Sequence, residues 1–158
     1  MTQREVMSRR RALAVLGAAA AAAGSPRAVG AQAAPALGVA EPVADALKRV
    51  FGSRPIRDGS GLIKLDVPLI AENGAAVPVS VEVGAGTPGA VKHVYLVADR
   101  NPVPIAVRVT PAPGAPVLVG LNVRLAETGD VRAIAELADG ALLGVKREVR
   151  VTVSGCAA

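Results

Sequence analysis

The hydrophobic period of this chain changes once. Between Glu41-Pro42 and Gly52, the apolar residues Val43, Leu47, Val50 and Phe51 fall at i, i+4, i+7 and i+8, one face of an α-helix. Lys48 and Arg49 lie in its last turn, where the helix dipole favours cations, and Gly52 is a stop signal. After Gly61 the period becomes 2. Ile63, Leu65 and Val67 alternate with Lys64 and Asp66. Beyond an Asn73-Gly74 turn, Val77, Val79, Val81 and Val83 alternate with Pro78, Ser80 and Glu82. Further β-like runs cover residues 92–98, 103–110, 117–125, 130–137 and 145–153, separated by Gly-, Pro- and Asp-rich turns. Seven short strands at this spacing predict an all-β fold, an immunoglobulin-like seven-stranded β-sandwich with one short N-terminal helix. Pro78 and Pro104 require edge or bulge positions, because proline cannot donate to a ladder.

Residues 1–31 follow a different pattern, that of an export signal. A basic stretch ends in Ser8-Arg9-Arg10-Arg11, and an apolar run of twelve residues, 12–23, follows. As a helix this run is about 18 Å long, against a bilayer core of ~30 Å, so it cannot span a membrane. Small residues allow cleavage after Ala31 or after Ala33. The pair Arg9-Arg10 resembles a twin-arginine signal, with Leu13 in keeping and Ala12 where a phenylalanine is usual. An ordinary secretory signal is the alternative. Both lead to the periplasm, with a mature domain over residues 32–153 and a short C-terminal segment, 154–158.

The signal also accounts for the charge. The chain of 158 residues has 18 Lys+Arg against 13 Asp+Glu, a formal +5. Five arginines and one glutamate in residues 1–31 supply +4 of it, so the mature domain is nearly neutral. With one Tyr, one Phe and no Trp, the chain also lacks a platform on which bases could stack. Nucleic acid is excluded as an expected partner.

The side-chain inventory is sparse in chemistry. His93 is the only histidine, so a multi-histidine metal site cannot form within one chain. It sits on the strand 92–98 in alternation with Tyr95, where a packed or half-exposed sheet residue is expected rather than a general base. No Gly-rich phosphate loop opens a helix. Cys156 is the only cysteine, and no internal disulfide can form. It follows the last strand within Ser154-Gly155-Cys156-Ala157-Ala158, a segment of small residues that a narrow channel on another protein could admit. The Ala158 carboxylate and the distance to the nearest cation, Arg150, both disfavour the thiolate. Three functions stay open at this point: a covalent carrier, a non-covalent periplasmic binding or assembly module in which Cys156 is dispensable, and a thiol enzyme. The third lacks a base near the cysteine in sequence.

Several strings together carry a family resemblance. Leu-Ile-Ala-Glu-Asn-Gly-Ala-Ala-Val-Pro-Val-Ser-Val-Glu-Val at residues 69–83 and Asn-Pro-Val-Pro at 101–104 are two of them. Arg-Leu-Ala-Glu-Thr at 124–128, Ala-Glu-Leu-Ala-Asp-Gly at 135–140 and the terminal Cys156 complete the series. In order and spacing the chain resembles the SoxY family, the sulfur-carrying subunit of the periplasmic thiosulfate-oxidising system. The resemblance implies an immunoglobulin-like fold, a heterodimer with a SoxZ subunit, and a swinging C-terminal arm made of Ser154, Gly155, Cys156, Ala157 and Ala158. It implies no catalytic residue, no metal and no cofactor, but a thiosulfate-derived sulfur adduct held covalently on Cys156. The implied partners are a haem cytochrome that attaches thiosulfate, a hydrolase that releases sulfate, and an enzyme that oxidises the remaining sulfane sulfur. The family ends in Gly-Gly-Cys-Gly-Gly. Here three of the four glycines are Ser154, Ala157 and Ala158, which disfavour positive φ and narrow the conformations open to the arm.

Overall fold

A computed structural model describes residues 35–153. The export signal with Arg9 and Arg10, and the segment 154–158 with Cys156, lie outside the described residues. The helix α1 runs Val43–Phe51 and is followed by nine strands. These are β1 Ile56–Asp58, β2 Ile63–Asp66, β3 Ile70–Ala71, β4 Val77–Val83, β5 Val91–Ala98, β6 Ile105–Val109, β7 Val117–Val123, β8 Gly129–Leu137 and β9 Leu142–Val151.

Helix α1 forms as its spacing predicts. Its N-cap is Pro42, and Gly52 ends it at φ 65°, donating its N–H to the Lys48 carbonyl at 2.8 Å. That left-handed conformation is where glycine terminates a helix without a Cβ clash. Glu41 pairs with Arg49 and fastens the entry of the helix to its last turn.

The strands form a sandwich of two sheets. The larger has the order β1-β9-β8-β5-β6, with β3 also pairing β9; the smaller has the order β2-β4-β7. The chain therefore runs along β9 as β1, crosses to the small sheet as β2, and returns to β9 as β3. Both returns are parallel to β9, Ile56 opposite Leu142 and Ile70 opposite Arg150. Seven of the nine strands answer to the alternating runs of the sequence. β1 and β3 do not, because three exposed residues and two residues carry no period to read. The last strand also begins earlier than its alternation does. Leu142 and Leu143 are consecutive, and each is buried, one on each face of the sheet.

The prolines sit where their chemistry requires. Pro78 pairs with Asn122 of β7, but the β2 ladder on its other side stops at Ser80. Pro104 precedes β6, the edge strand, beside a register shift between Leu96 and Val97.

Two apolar clusters hold the layers. Between the sheets, Leu65, Val77, Val81, Val94, Leu96, Val131, Ala133 and Val149 are buried with their neighbours. Each fully buried Val or Leu contributes about 1.5–3 kcal/mol of transfer free energy. On the outer face of the large sheet, Ala46, Val50 and Phe51 of α1 pack on Tyr95, Val97, Ile105, Ile134 and Leu142. Phe51 and Tyr95 meet edge to face, with ring centroids 4.9 Å apart and an interplanar angle of 84°. Residues 94–98 and 133–137 are consequently buried on both faces, as central strands are when a helix covers a sheet. No helix among the described residues is long and apolar enough to cross a membrane.

Candidate functional site

Cys156, the residue the sequence singles out, is three residues beyond Val153, the last described residue, and the described residues nearest to it in sequence are those of the β9 exit. That exit is tied down from three sides. Thr128, in the loop before β8, accepts the Val151 N–H on its hydroxyl at 2.9 Å. Just before β3 the Leu69 carbonyl accepts the Arg150 N–H at 2.9 Å, and within it the Ala71 carbonyl accepts the Thr152 N–H at 3.0 Å. The Thr152 hydroxyl donates to the Glu72 carbonyl at 2.9 Å. The Val153 carbonyl accepts the Gly74 N–H at 2.9 Å, and the Gly74 carbonyl takes the Leu125 N–H at 2.7 Å. Asn73 shapes this turn by accepting the Ala75 N–H on its side-chain oxygen at 2.8 Å.

These bonds extend the ladder two residues past β9. The chain is held as far as Val153. The sequence marks Asn73-Gly74 and Thr128 as turn residues; their partnership with the β9 exit is visible only once the sandwich brings them together.

A second polar group lies under the helix. Glu136 is buried in β8, and its carboxylate accepts from Arg54 at 2.8 Å and from the Tyr95 hydroxyl at 3.2 Å. Arg54 also donates to the carbonyls of Phe51 and Gly140. Burial opposes ionisation of Glu136, but the hydrogen bonds and charge of Arg54, with the Tyr95 hydroxyl, hold its carboxyl below the ordinary glutamate range. Burial and the neighbouring Glu136 charge push the Tyr95 hydroxyl up. Every acceptor here is used by the protein itself. The group pins the end of α1 to the large sheet.

His93 is half-buried on β5, with Nδ1 2.8 Å from the Thr110 hydroxyl and its ring edge-to-face with Tyr95 at 6.0 Å. Burial lowers its pKa. Its partners are structural, on β5 and at the end of β6. Among the described residues, no three His, Cys, Asp or Glu side chains gather as metal ligands.

An open cleft of about 890 Å³ lies between β1, β2 and β9 and is lined by Arg57, Lys64, Arg132, Lys146 and Arg147 together with Asp58 and Glu82. Several of these charges are already engaged: Arg132 donates to Asp99, Lys146 to Asp130, and Arg147 to the Leu65 carbonyl. The nearest β9 residue in the cleft, Arg147, is six residues from Val153, about 20 Å of extended strand. Three residues from Val153 to Cys156 span at most ~11 Å between Cα atoms.

The family described as sulfur oxidation protein SoxY matches residues 47–156. The structure of the sulfur carrier protein SoxY from Chlorobium limicola f thiosulfatophilum is similar at 34% identity and a TM-score of 0.60, over 70% of this chain and 96% of that one. A superoxide reductase (neelaredoxin) from Ignicoccus hospitalis is similar at 22% identity and a TM-score of 0.47, over 56% of this chain and 79% of that one. Fibronectin(III)-like modules of Clostridium thermocellum CbhA are similar at 22% identity and a TM-score of 0.42, over 56% and 93%. No curated protein matches.

Proposed function

This chain belongs to the SoxY family of sulfur-oxidation proteins, and on that footing we propose that it is a covalent carrier of sulfur intermediates, with Cys156 as the attachment point. The observation that carries the proposal is the extent of the family match. It runs from the helix to residue 156, and residue 156 is the only cysteine in the chain. The hydrogen-bonded exit of β9 supports it, because a carrier arm needs a fixed origin.

The chemistry balances as follows. The Cys156 thiol and thiosulfate join through a new S–S bond, releasing one proton and two electrons; the haem cytochrome partner accepts the electrons. The product is a cysteine S-thiosulfonate. Water then cleaves its S–SO₃ bond at a hydrolase, releasing hydrogen sulfate and leaving a persulfide on Cys156. A further enzyme oxidises that sulfane sulfur. The carrier contributes the nucleophilic sulfur, the covalent hold and the delivery. Arg150 is the nearest cation in sequence, six residues away, so the thiol gains its reactivity from the enzyme that receives it. This protects the carrier from indiscriminate oxidation between encounters.

The remaining parts of the proposal are a heterodimer with a SoxZ subunit, export through the Arg9-Arg10 signal, and action in the periplasm. Ser154, Gly155, Ala157 and Ala158 form the arm around the cysteine. Replacing Cys156 with Ser tests the function. A covalent carrier loses thiosulfate-dependent electron flow to the cytochrome completely, whereas a non-covalent binding or assembly module keeps it.

A further inference from the structure

The turn between β3 and β4 contains the one Asn-Gly pair of the chain, Asn73-Gly74. Of the other two asparagines, Asn101 precedes Pro102, which has no N–H, and Asn122 precedes the β-branched Val123 inside β7. An asparagine can lose its side-chain amide when the next backbone nitrogen attacks it. Glycine in the next position favours this, because no Cβ shields the nitrogen. The hydrogen bonds at Asn73-Gly74 act on both halves of the reaction, in opposite senses.

The electrophile is primed. Asn73 is exposed, and its side-chain oxygen accepts the Ala75 N–H at 2.8 Å. That bond folds the carboxamide back over the turn and places a donor on the oxygen that becomes negative when its carbon is attacked. The nucleophile is restrained. Gly74 is buried, and its N–H donates to the Val153 carbonyl at 2.9 Å. A nitrogen bonded in this way gives up its proton to solvent base only after the Val153 strand end has moved away. That end is held in turn by Thr128 on Val151, and by Ala71 and Glu72 on Thr152.

We propose that Asn73 is a covalent modification site, deamidated at a rate set by the opening of the β9 exit. Once its N–H is released, the Gly74 nitrogen loses its proton to solvent base and bonds to the Asn73 side-chain carbonyl carbon. The bond from that carbon to the amide nitrogen breaks, and the nitrogen leaves as ammonia with a proton from solvent. The product is a succinimide ring, which water opens to aspartate or isoaspartate; no electrons are exchanged. The ring nitrogen carries no hydrogen, so the bond from Gly74 to Val153 is lost while the ring persists. Isoaspartate restores the N–H but displaces it by the methylene added to the backbone. Opening of the exit is thereby recorded covalently in the turn that holds it. The reaction does not involve Cys156 and stands apart from the carrier role.

The test incubates the chain, purified from its own cells, at neutral and mildly alkaline pH and follows the mass of the peptide that carries Asn73. Enzymatic methylation of the new carboxylate identifies isoaspartate. The folded parent should convert at Asn73 about tenfold or more slowly than the same chain unfolded in urea, and faster at the higher pH. Thr128→Val and Thr152→Val each remove one hydrogen bond of the exit and leave Asn73 and Gly74 in place. Each should speed conversion about fivefold, the factor of one such bond. Hydrogen exchange at Thr152 should quicken in the isoaspartate fraction but not in Asn73→Asp, which has the charge without the lengthened backbone. A parent that converts as fast folded as in urea overturns the proposal. So do exit variants in which Asn73 stays an amide or converts at the parental rate, and so does conversion at Asn101 or Asn122 ahead of Asn73. If Thr128→Val does not fold, the rate in Thr152→Val decides alone.

Discussion

The backbone N–H of Gly74 donates to the carbonyl of Val153 across 2.9 Å, joining the turn between β3 and β4 to the last residue before the cysteine-bearing segment. A turn early in the sandwich thereby fixes the origin of a segment at the other end of the chain. This bond, with those from Leu69, Ala71 and Thr128, holds the end of the final strand as far as Val153.

Thr128→Val removes the hydroxyl that receives the Val151 N–H while keeping the β-branched shape. A net cost of about 1 kcal/mol is expected for one such bond. The loss should be local. Hydrogen exchange at Val151 and Thr152 should quicken about fivefold or more, with a small fall in the midpoint of thermal unfolding. Unchanged exchange at both amides would mean that Thr128 does not anchor the exit.

The contact between β1 and β9 leaves no room for a side chain at position 144. A Cβ on Gly144 would lie 2.6 Å from Ile56 Cγ2 and must displace it. Gly144→Ala is expected to destabilise by about 1–3 kcal/mol, the usual cost of overpacking. Ile56 is 38% exposed, so truncating it is cheap, and Gly144→Ala with Ile56→Ala should recover most of the loss. Denaturant unfolding of the four proteins checks this; additive losses would rule out the contact as the cause.

Glu136 makes stability depend on pH in a stated direction. Its folded-state pKa is lowered, so its stabilising effect is present above the unfolded glutamate pKa of ~4.3 and is lost as pH falls through the folded value. Glu136→Gln should cost about 1–2 kcal/mol at neutral pH, a range that allows for solvent screening of the partly exposed Arg54. The difference from the parent should shrink below pH ~4. Urea titrations at neutral and acidic pH measure it; a difference that grows on acidification would reverse the sign assigned here.

Phe51 is the aromatic anchor of α1 on the large sheet. Phe51→Ala should cost about 3–5 kcal/mol, whereas Phe51→Leu, which keeps most of the volume, should cost much less. Tyr95 is the only tyrosine and there is no tryptophan, so near-ultraviolet dichroism reports on the surroundings of Tyr95, of which Phe51 is a part. The Tyr95 signal should collapse in the alanine variant before the sheet unfolds.

How much of this was legible in the sequence depends on the range of the interaction. The alternation of Val77, Val79, Val81 and Val83 gives β4 with its buried face, because one side packs and the other meets solvent. The same logic finds β5 and β8 but misses their second buried face. Tyr95, Val97 and Ile134 look like the outer side of a strand until Ala46, Val50 and Phe51 cover them. Ala46, fully buried, has too small a side chain to stand out in the helical spacing. β1 and β3 exist only through their pairing with β9. For the proposed site, the inventory singles out Cys156, the one cysteine of the sequence. The anchors Thr128 and Gly74 are not legible, because their partners Val151 and Val153 lie 23 and 79 residues away.

The most direct measurement is the mass of the protein from cells oxidising thiosulfate, purified without any reductant. Intact-mass and peptide-mass spectra should show sulfur-containing adducts confined to the peptide that carries Cys156, and treatment with a thiol reductant should remove them. A chain recovered only as the unmodified thiol from such cells would contradict the assignment of Cys156 as a covalent carrier.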